Sequence, residues 1–169
     1  MGLKNGTVTL ENNHLKWAKM FKEEKNFLKE IFGELAIEIE HIGSTAIKGI
    51  DAKPIIDIAI AVNDFRNVEK IKTKLETIYT FINNENAEEI ILVKEDSKIT
   101  YFLIHIMKVN SKRYKDAINF RDYISNNYED LKRYECLKHK LIKLYSNDRK
   151  MYTKSKNDFI QEILRKINN

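Results

Sequence analysis

The sequence predicts an α+β domain in which helices pack against a small mixed β-sheet. Three observations carry that prediction. Apolar residues recur at three- and four-residue spacing near the N-terminus and again from Ser111 onward. Between these regions, "AIEIEHIG", "PIIDIAIAV", "EEIILVK" and "KITYFLIHIMKV" alternate or run apolar as strands do. The change of period at Ser111 divides a single domain of 169 residues into a core of about 1–110 and a helical tail of about 111–169.

A first helix is expected from about Asn12 to Phe32, its apolar stripe formed by Leu15, Trp17, Phe21, Leu28 and Ile31 and extended to Leu35, with Gly33 as the stop. "AIEIEHIG" then reads as a strand with one buried face. "PIIDIAIAV" is nearly all apolar and β-branched, as a central strand covered on both sides would be. Pro54 belongs at its start, because proline donates no ladder hydrogen bond. Asn63 and Asp64 are suited to cap a helix over "FRNVEKIKTKLETIY". Two further strands follow, joined by the turn "EDS". The tail shows three apolar stripes: Ala117, Phe120 and Ile124; Leu131, Tyr134, Leu137, Leu141 and Leu144; then Phe159, Ile160, Ile163 and Ile167.

Composition limits the function classes. Apolar residues make up 43% of the chain and charged residues 33%, enough for a core and a solvated surface. No apolar run approaches the roughly 18 residues of a membrane span, and "MGLKNGTVTLENNH" lacks a signal-peptide core. A single cysteine, Cys136, excludes an internal disulfide, and its helical context implies a packing role. A cytoplasmic protein with no membrane partner is expected. The net charge is +5, and the basic residues gather after Lys138, where they would attract a polyanion or a nucleotide triphosphate. Tyr145, Tyr152 and Phe159 sit at helical core spacing, so nucleic acid is not an expected partner.

The stretch "HIGSTAIKGIDAKPIIDIAIAV" concentrates backbone specialists: Gly43, Gly49 and Pro54, from a chain with five glycines and one proline. Gly43 lets the backbone approach a bulky anion. The Ser44 hydroxyl and the free N–H groups around Thr45 can bind phosphate oxygens. Lys53 supplies a nearby cation, and Asp57 could hold a divalent metal beside those phosphates. A carboxylate on a buried strand needs a metal, a cation or hydrogen bonds, and a salt bridge to Lys53 or Arg121 would equally satisfy Asp57. His41 and His105 are candidate ligands or acid–base groups, with a hydrogen-bonded core role as the alternative. There is no Walker loop, dinucleotide-binding glycine fingerprint or Ser-His-Asp arrangement.

Gly-Ser followed by a strand-borne aspartate resembles the signature of the DNA polymerase beta-like nucleotidyltransferases. More closely, "IEHIGSTAIKGIDAKPIIDIAIAV" resembles the GrpB family within that superfamily. Trp17 in "HLKWAKMF", "FRDYI" from Phe120, "YECLKHKL" from Tyr134 and "YTKSKNDFI" from Tyr152 extend the similarity along most of the chain. The resemblance implies a sheet of nucleotidyltransferase type. It also implies a phosphate-binding turn at Gly43, Ser44 and Thr45, with Lys156 of the tail reaching the terminal phosphates. Asp57 and His105 become the catalytic and metal-binding candidates, with Mg²⁺ as cofactor. The chain departs from the pattern where a second carboxylate is expected, at Ala59. It also reads "LIH", with Leu103 and His105, for a His-x-His, and "EEIILVK" for an arginine-bearing strand. The implied function is binding of a nucleotide or other phosphorylated molecule with Mg²⁺-dependent nucleotidyl transfer; the alternative is a degenerate binding module or an interaction scaffold.

Overall fold

The strand with the most apolar sequence, β3 (Ile56–Val62), lies inside the sheet of the computed structural model, which describes residues 2–82 and 88–168. Before it come β1 (Leu3–Lys4), α1 (His14–Phe32) and β2 (Glu38–Ile42), with single 3₁₀ turns at Gly33–Leu35 and Ser44–Ala46. After it come α2 (Arg66–Glu69), α3 (Lys72–Glu76), β4 (Thr80–Ile82), β5 (Glu89–Asp96) and β6 (Ile99–Lys108). The tail is α4 (Lys112–Asn126), α5 (Tyr128–Tyr145), α6 (Arg149–Lys154) and α7 (Asn157–Asn168). Strand order is β2-β3-β6-β5-β4, with β1 also pairing β6. The β3–β6 pair is parallel and the others are antiparallel, so the fold is α+β with a mixed sheet.

Alternation along β3 builds both layers. Ile56, Ile58, Ile60 and Val62 point to one side and pack with Trp17, Leu28, Ile31 and Phe32 of α1, and with Val68 and Leu75. Asp57, Ala59 and Ala61 alternate with them, and the two alanines pack with Met107 of β6 and Tyr114 of α4. A further cluster joins Ile47 and Ile50 to Phe120, Ile124, Leu131, Tyr134, Ile163 and Leu164, tying the segment before β3 to the tail helices. Ser111 starts α4, its hydroxyl accepting from the Tyr114 N–H at 3.2 Å. Asp148 starts α6 in the same way, through the Met151 N–H at 2.9 Å.

Several sequence expectations are corrected. Leu15 and Leu144 are 90% and 70% exposed, so the stripes of α1 and α5 do not include them. Cys136 is exposed and has no packing role. Residues 65–79 form two short helices in place of one, interrupted at Lys70–Ile71, although the Asp64 carboxylate does accept from the Arg66 N–H at 2.8 Å. The β5–β6 turn falls on Ser97 and Lys98, both at positive φ, so β5 runs on through Asp96. β1 and β4, of two and three residues, are too short to leave a periodic signal. No helix among the described residues is long and apolar enough to cross a membrane.

Candidate functional site

β2 ends at Ile42, opposite Asp57 in the ladder, and Gly43 follows with φ 70° and ψ −173°. That region is essentially reserved for glycine. A Cβ at Gly43 would sit 2.4 Å from Asp57 Oδ2, so the missing side chain makes room for the carboxylate. The 3₁₀ turn then sends two hydroxyls to different destinations. Ser44 Oγ lies 3.0 Å from the Tyr134 hydroxyl of α5, on the wall of a cavity of about 450 Å³. Thr45 is buried; its hydroxyl donates to the Ile55 carbonyl at 3.4 Å and accepts from His41 Nε2–H at 2.9 Å. His41 also stacks on Phe21 at 4.7 Å. Burial, with Arg121 nearby and only Asp57 opposing, pushes its pKa down to about 4, so it is a neutral core imidazole.

Five Lys and Arg side chains line the cavity, Arg113 on its acidic side and Lys53, Lys138, Arg149 and Lys156 opposite. Lys53 donates to the Thr153 hydroxyl at 3.4 Å and lies 5.4 Å from the centre of the Tyr152 ring, over which Lys156 sits at 5.1 Å. Arg149 donates to the Thr100 hydroxyl at 3.2 Å. Lys138 is only 1% exposed; it donates to the Asp51 main-chain carbonyl and faces the Tyr134 ring at 4.9 Å. Burial, followed by the charge of Lys156, lowers the pKa of both Lys53 and Lys138 to about 7. Burial likewise pushes Arg149 below its ordinary value.

The acidic side of the cavity is internally paired. His105 Nε2 is 3.6 Å from Asp57 Oδ1, and its Nδ1 donates to Glu89 Oε2 at 3.2 Å. Glu89 also takes a hydrogen bond from Arg113 at the start of α4. Burial opposes a charge on His105, but the two carboxylates outweigh it and raise its pKa to about 9. Burial likewise opposes the Asp57 carboxylate, and the His105 hydrogen bond and charge, with Lys53 and Lys156 behind them, hold it below its ordinary range. Arg121 is not its partner: that guanidinium bonds Glu40 and the His41 carbonyl, each at 2.8 Å.

For Mg²⁺ these residues supply an incomplete ligand set. Asp57 is the one carboxylate without a close hydrogen bond, with Nε2 of His105 3.6 Å from it, while Nδ1 of His105 and the Glu89 carboxylate are engaged with each other and with Arg113. Ala59 shares the face of Asp57 but is fully buried in the layer under α4, so a carboxylate there would enter packed side chains and miss the cavity. A different group, Asp51, Glu135 and His139, brings donor atoms within 4.8 Å of one another. Within it His139 Nε2 lies 3.0 Å from an Asp51 carboxylate oxygen, and Lys132 pairs with Glu135 at 2.9 Å.

The structure thus brings Gly43, Ser44, Lys53, Asp57, His105 and Lys156 around one cavity, with Thr45 turned inward at its edge. Glu89, Arg113, Lys138 and Arg149 were not identified as site residues in the sequence. For Lys138 a signal existed, since it stands in a buried helical stripe with Tyr134 and Leu141. Glu89 opens an apolar strand, and nothing local marks its partner sixteen residues on.

A Gly-Ser turn beside a strand-borne aspartate, on a mixed sheet flanked by helices, defines a nucleotidyltransferase-like fold. At the level of fold alone, the chain is similar to a crystal structure of the Cid1 poly(U) polymerase with Mg 3'-dATP bound. The TM-score is 0.51 and the identity 14%, covering 79% of this chain and 42% of that one. Residues 7–166 match the family model described as GrpB protein, and the chain belongs to the GrpB family. It is 34% identical to the glutamate-rich protein GrpB of Alkalihalophilus pseudofirmus over 184 residues, covering 99% of each chain. It also superposes on the crystal structure of conserved protein GrpB from Enterococcus faecalis with a TM-score of 0.84 and 26% identity, over 95% of this chain and 96% of that one.

Proposed function

We propose that this protein is a binding module for a nucleotide or similar phosphorylated small molecule, held in the cavity between the Gly43–Ser44 turn and the tail helices. One observation carries the reading. Lys53, Lys138, Arg149 and Lys156 converge there with neutral close partners, while Asp57 and Glu89 are already answered by His105 and Arg113. The surplus of positive charge suits an anion. Leu103, Met107, Ala117, Phe120, Ile160 and Leu164 form apolar wall beside it, which suits the uncharged part of such a ligand.

Calorimetric titration with ATP, in EDTA and again with Mg²⁺, tests the reading. Binding is expected in EDTA, and tripolyphosphate should bind more weakly than ATP because it leaves the apolar wall unfilled. Lys53→Ala and Lys156→Ala should each weaken ATP binding about tenfold, or roughly 1.4 kcal/mol. Ser44→Ala should weaken it by about 1 kcal/mol, the scale of a neutral hydrogen bond. Affinity that appears only with Mg²⁺ would favour nucleotidyl transfer, and no affinity in either condition would favour an interaction scaffold.

A further inference from the structure

Three buried side-chain polar atoms have no hydrogen-bond partner among the described residues: His14 Nδ1, Trp17 Nε1 and the Tyr152 hydroxyl. The two rings of α1 lie against each other, 4.8 Å between centres, and neither residue lines the cavity. Tyr152 does line it, although the residue is only 1% exposed. A buried hydroxyl left without a partner destabilises a folded protein, so its presence needs a reason. We propose that the Tyr152 hydroxyl is a ligand-binding group of this cavity, a donor held for a phosphate oxygen of the bound molecule. The inference rests on the reading of the cavity as a phosphate site, and names the tail residue that would select for the anion there.

The surroundings of the ring agree with it. Val8 and Leu141 pack with Tyr152 in one apolar cluster, which fixes the ring before any ligand arrives. Lys53, from the segment before β3, and Lys156, from the turn before α7, lie over the ring at 5.4 Å and 5.1 Å from its centre. Arg149, at the start of the same helix, lines the cavity as well. Three cations are thus gathered near one unpartnered donor. Burial, followed by the nearby Tyr134 hydroxyl, pushes the phenol above its ordinary range, so it stays a neutral O–H. Such a group donates to an anionic oxygen that the neighbouring cations attract. Because the hydroxyl is covered in the free protein, contact requires a small shift around it, and the lysine chains over the ring are flexible neighbours that a phosphate attracts.

Thermal melts and calorimetry on the full chain test this with Tyr152→Phe, which removes the oxygen and keeps the ring. Without ligand, the variant should melt roughly 2–4 °C above wild type, because a group buried without a partner is gone. In EDTA its affinity for ATP should fall about tenfold, and its affinity for tripolyphosphate by the same factor. Tyr134→Phe gives the contrast in stability: its hydroxyl has Ser44 at 3.0 Å, so Tm should fall. A lower or unchanged Tm in Tyr152→Phe would mean that the hydroxyl is already bonded in the free protein, and would overturn the proposal. Unchanged ATP affinity would overturn it too, with the phosphate reading of the cavity left standing. A loss seen with ATP but not with tripolyphosphate would place the contact on the nucleoside and overturn its assignment to phosphate. If wild type binds neither compound, the reading of the cavity falls and this inference falls with it.

Discussion

Replacing Gly43 with alanine is expected to destabilise the protein by about 3–5 kcal/mol and to lower Tm by roughly 10 °C. Two costs add. The backbone at φ 70° and ψ −173° lies where side chains are hardly tolerated, worth about 1–3 kcal/mol. The new methyl group would also stand 2.4 Å from Asp57 Oδ2 and 3.0 Å from its Cβ and Cγ, a contact that must be relieved. Neither neighbour yields easily, because Asp57 sits on an interior strand and Gly43 is fixed by the β2 ladder before it. Relief therefore moves the Asp57 carboxylate away from His105, and the His105 midpoint should fall along with Tm. Gly49→Ala supplies the control: φ is 85° there too, but nothing lies within 4 Å of an added Cβ. It should show the backbone cost alone and an unmoved His105. Equal losses in both variants would show that crowding against Asp57 contributes nothing.

Much of this was legible because local patterns were strong. The run "PIIDIAIAV" suited an interior strand, and the period change at Ser111 marked where the sheet gives way to helices; that Ser111 caps the first of them is seen only in the structure. The Gly43–Ser44 turn and Asp57 were legible because a glycine and a buried carboxylate both demand a reason. The cationic half of the cavity was not. Lys138, Arg149 and Lys156 look like ordinary members of a basic tail until the fold brings them to the cavity that Asp57 of β3 and His105 of β6 also line. The Glu89–His105 contact depends on the β5–β6 register, in which Ile91 opposes His105 and Glu89 lies two residues further along the same face. That register is set by the Ser97–Lys98 turn and a bulge at Lys94/Glu95, which no spacing rule predicts. Leu15 and Leu144 show the opposite error, in which periodicity assigns a residue to a buried face that the neighbouring elements never reach.

Lys138→Met should stabilise the protein at pH 6 by on the order of 3 kcal/mol and weaken its hold on ATP. The ammonium is 1% exposed, with one main-chain carbonyl and one aromatic face for company, and burial brings its pKa from 10.5 to about 7. Between those two values the unfolded chain holds a proton that the folded chain has released, so the contribution of Lys138 to stability rises with pH. Its cost is therefore complete below pH 7 and gone near pH 10.5. His105 acts in the opposite sense: its raised pKa stabilises the fold below 6.5, and that contribution is lost as pH rises through about 9. The difference between wild type and Lys138→Met cancels His105 and isolates the lysine. Denaturant melts at pH 6, 8 and 10 should show the advantage of the mutant shrinking steadily. A bound polyanion reverses the same shift, because it favours the charged forms of Lys138 and Lys53. ATP binding at pH 8 should thus take up protons, seen as an enthalpy that varies with the ionisation enthalpy of the buffer. Lys138→Met should take up about one proton fewer. A stability difference that does not change with pH would mean that Lys138 keeps its proton in the folded protein. An enthalpy independent of buffer would mean that the ATP phosphates do not reach the lysines that line this cavity.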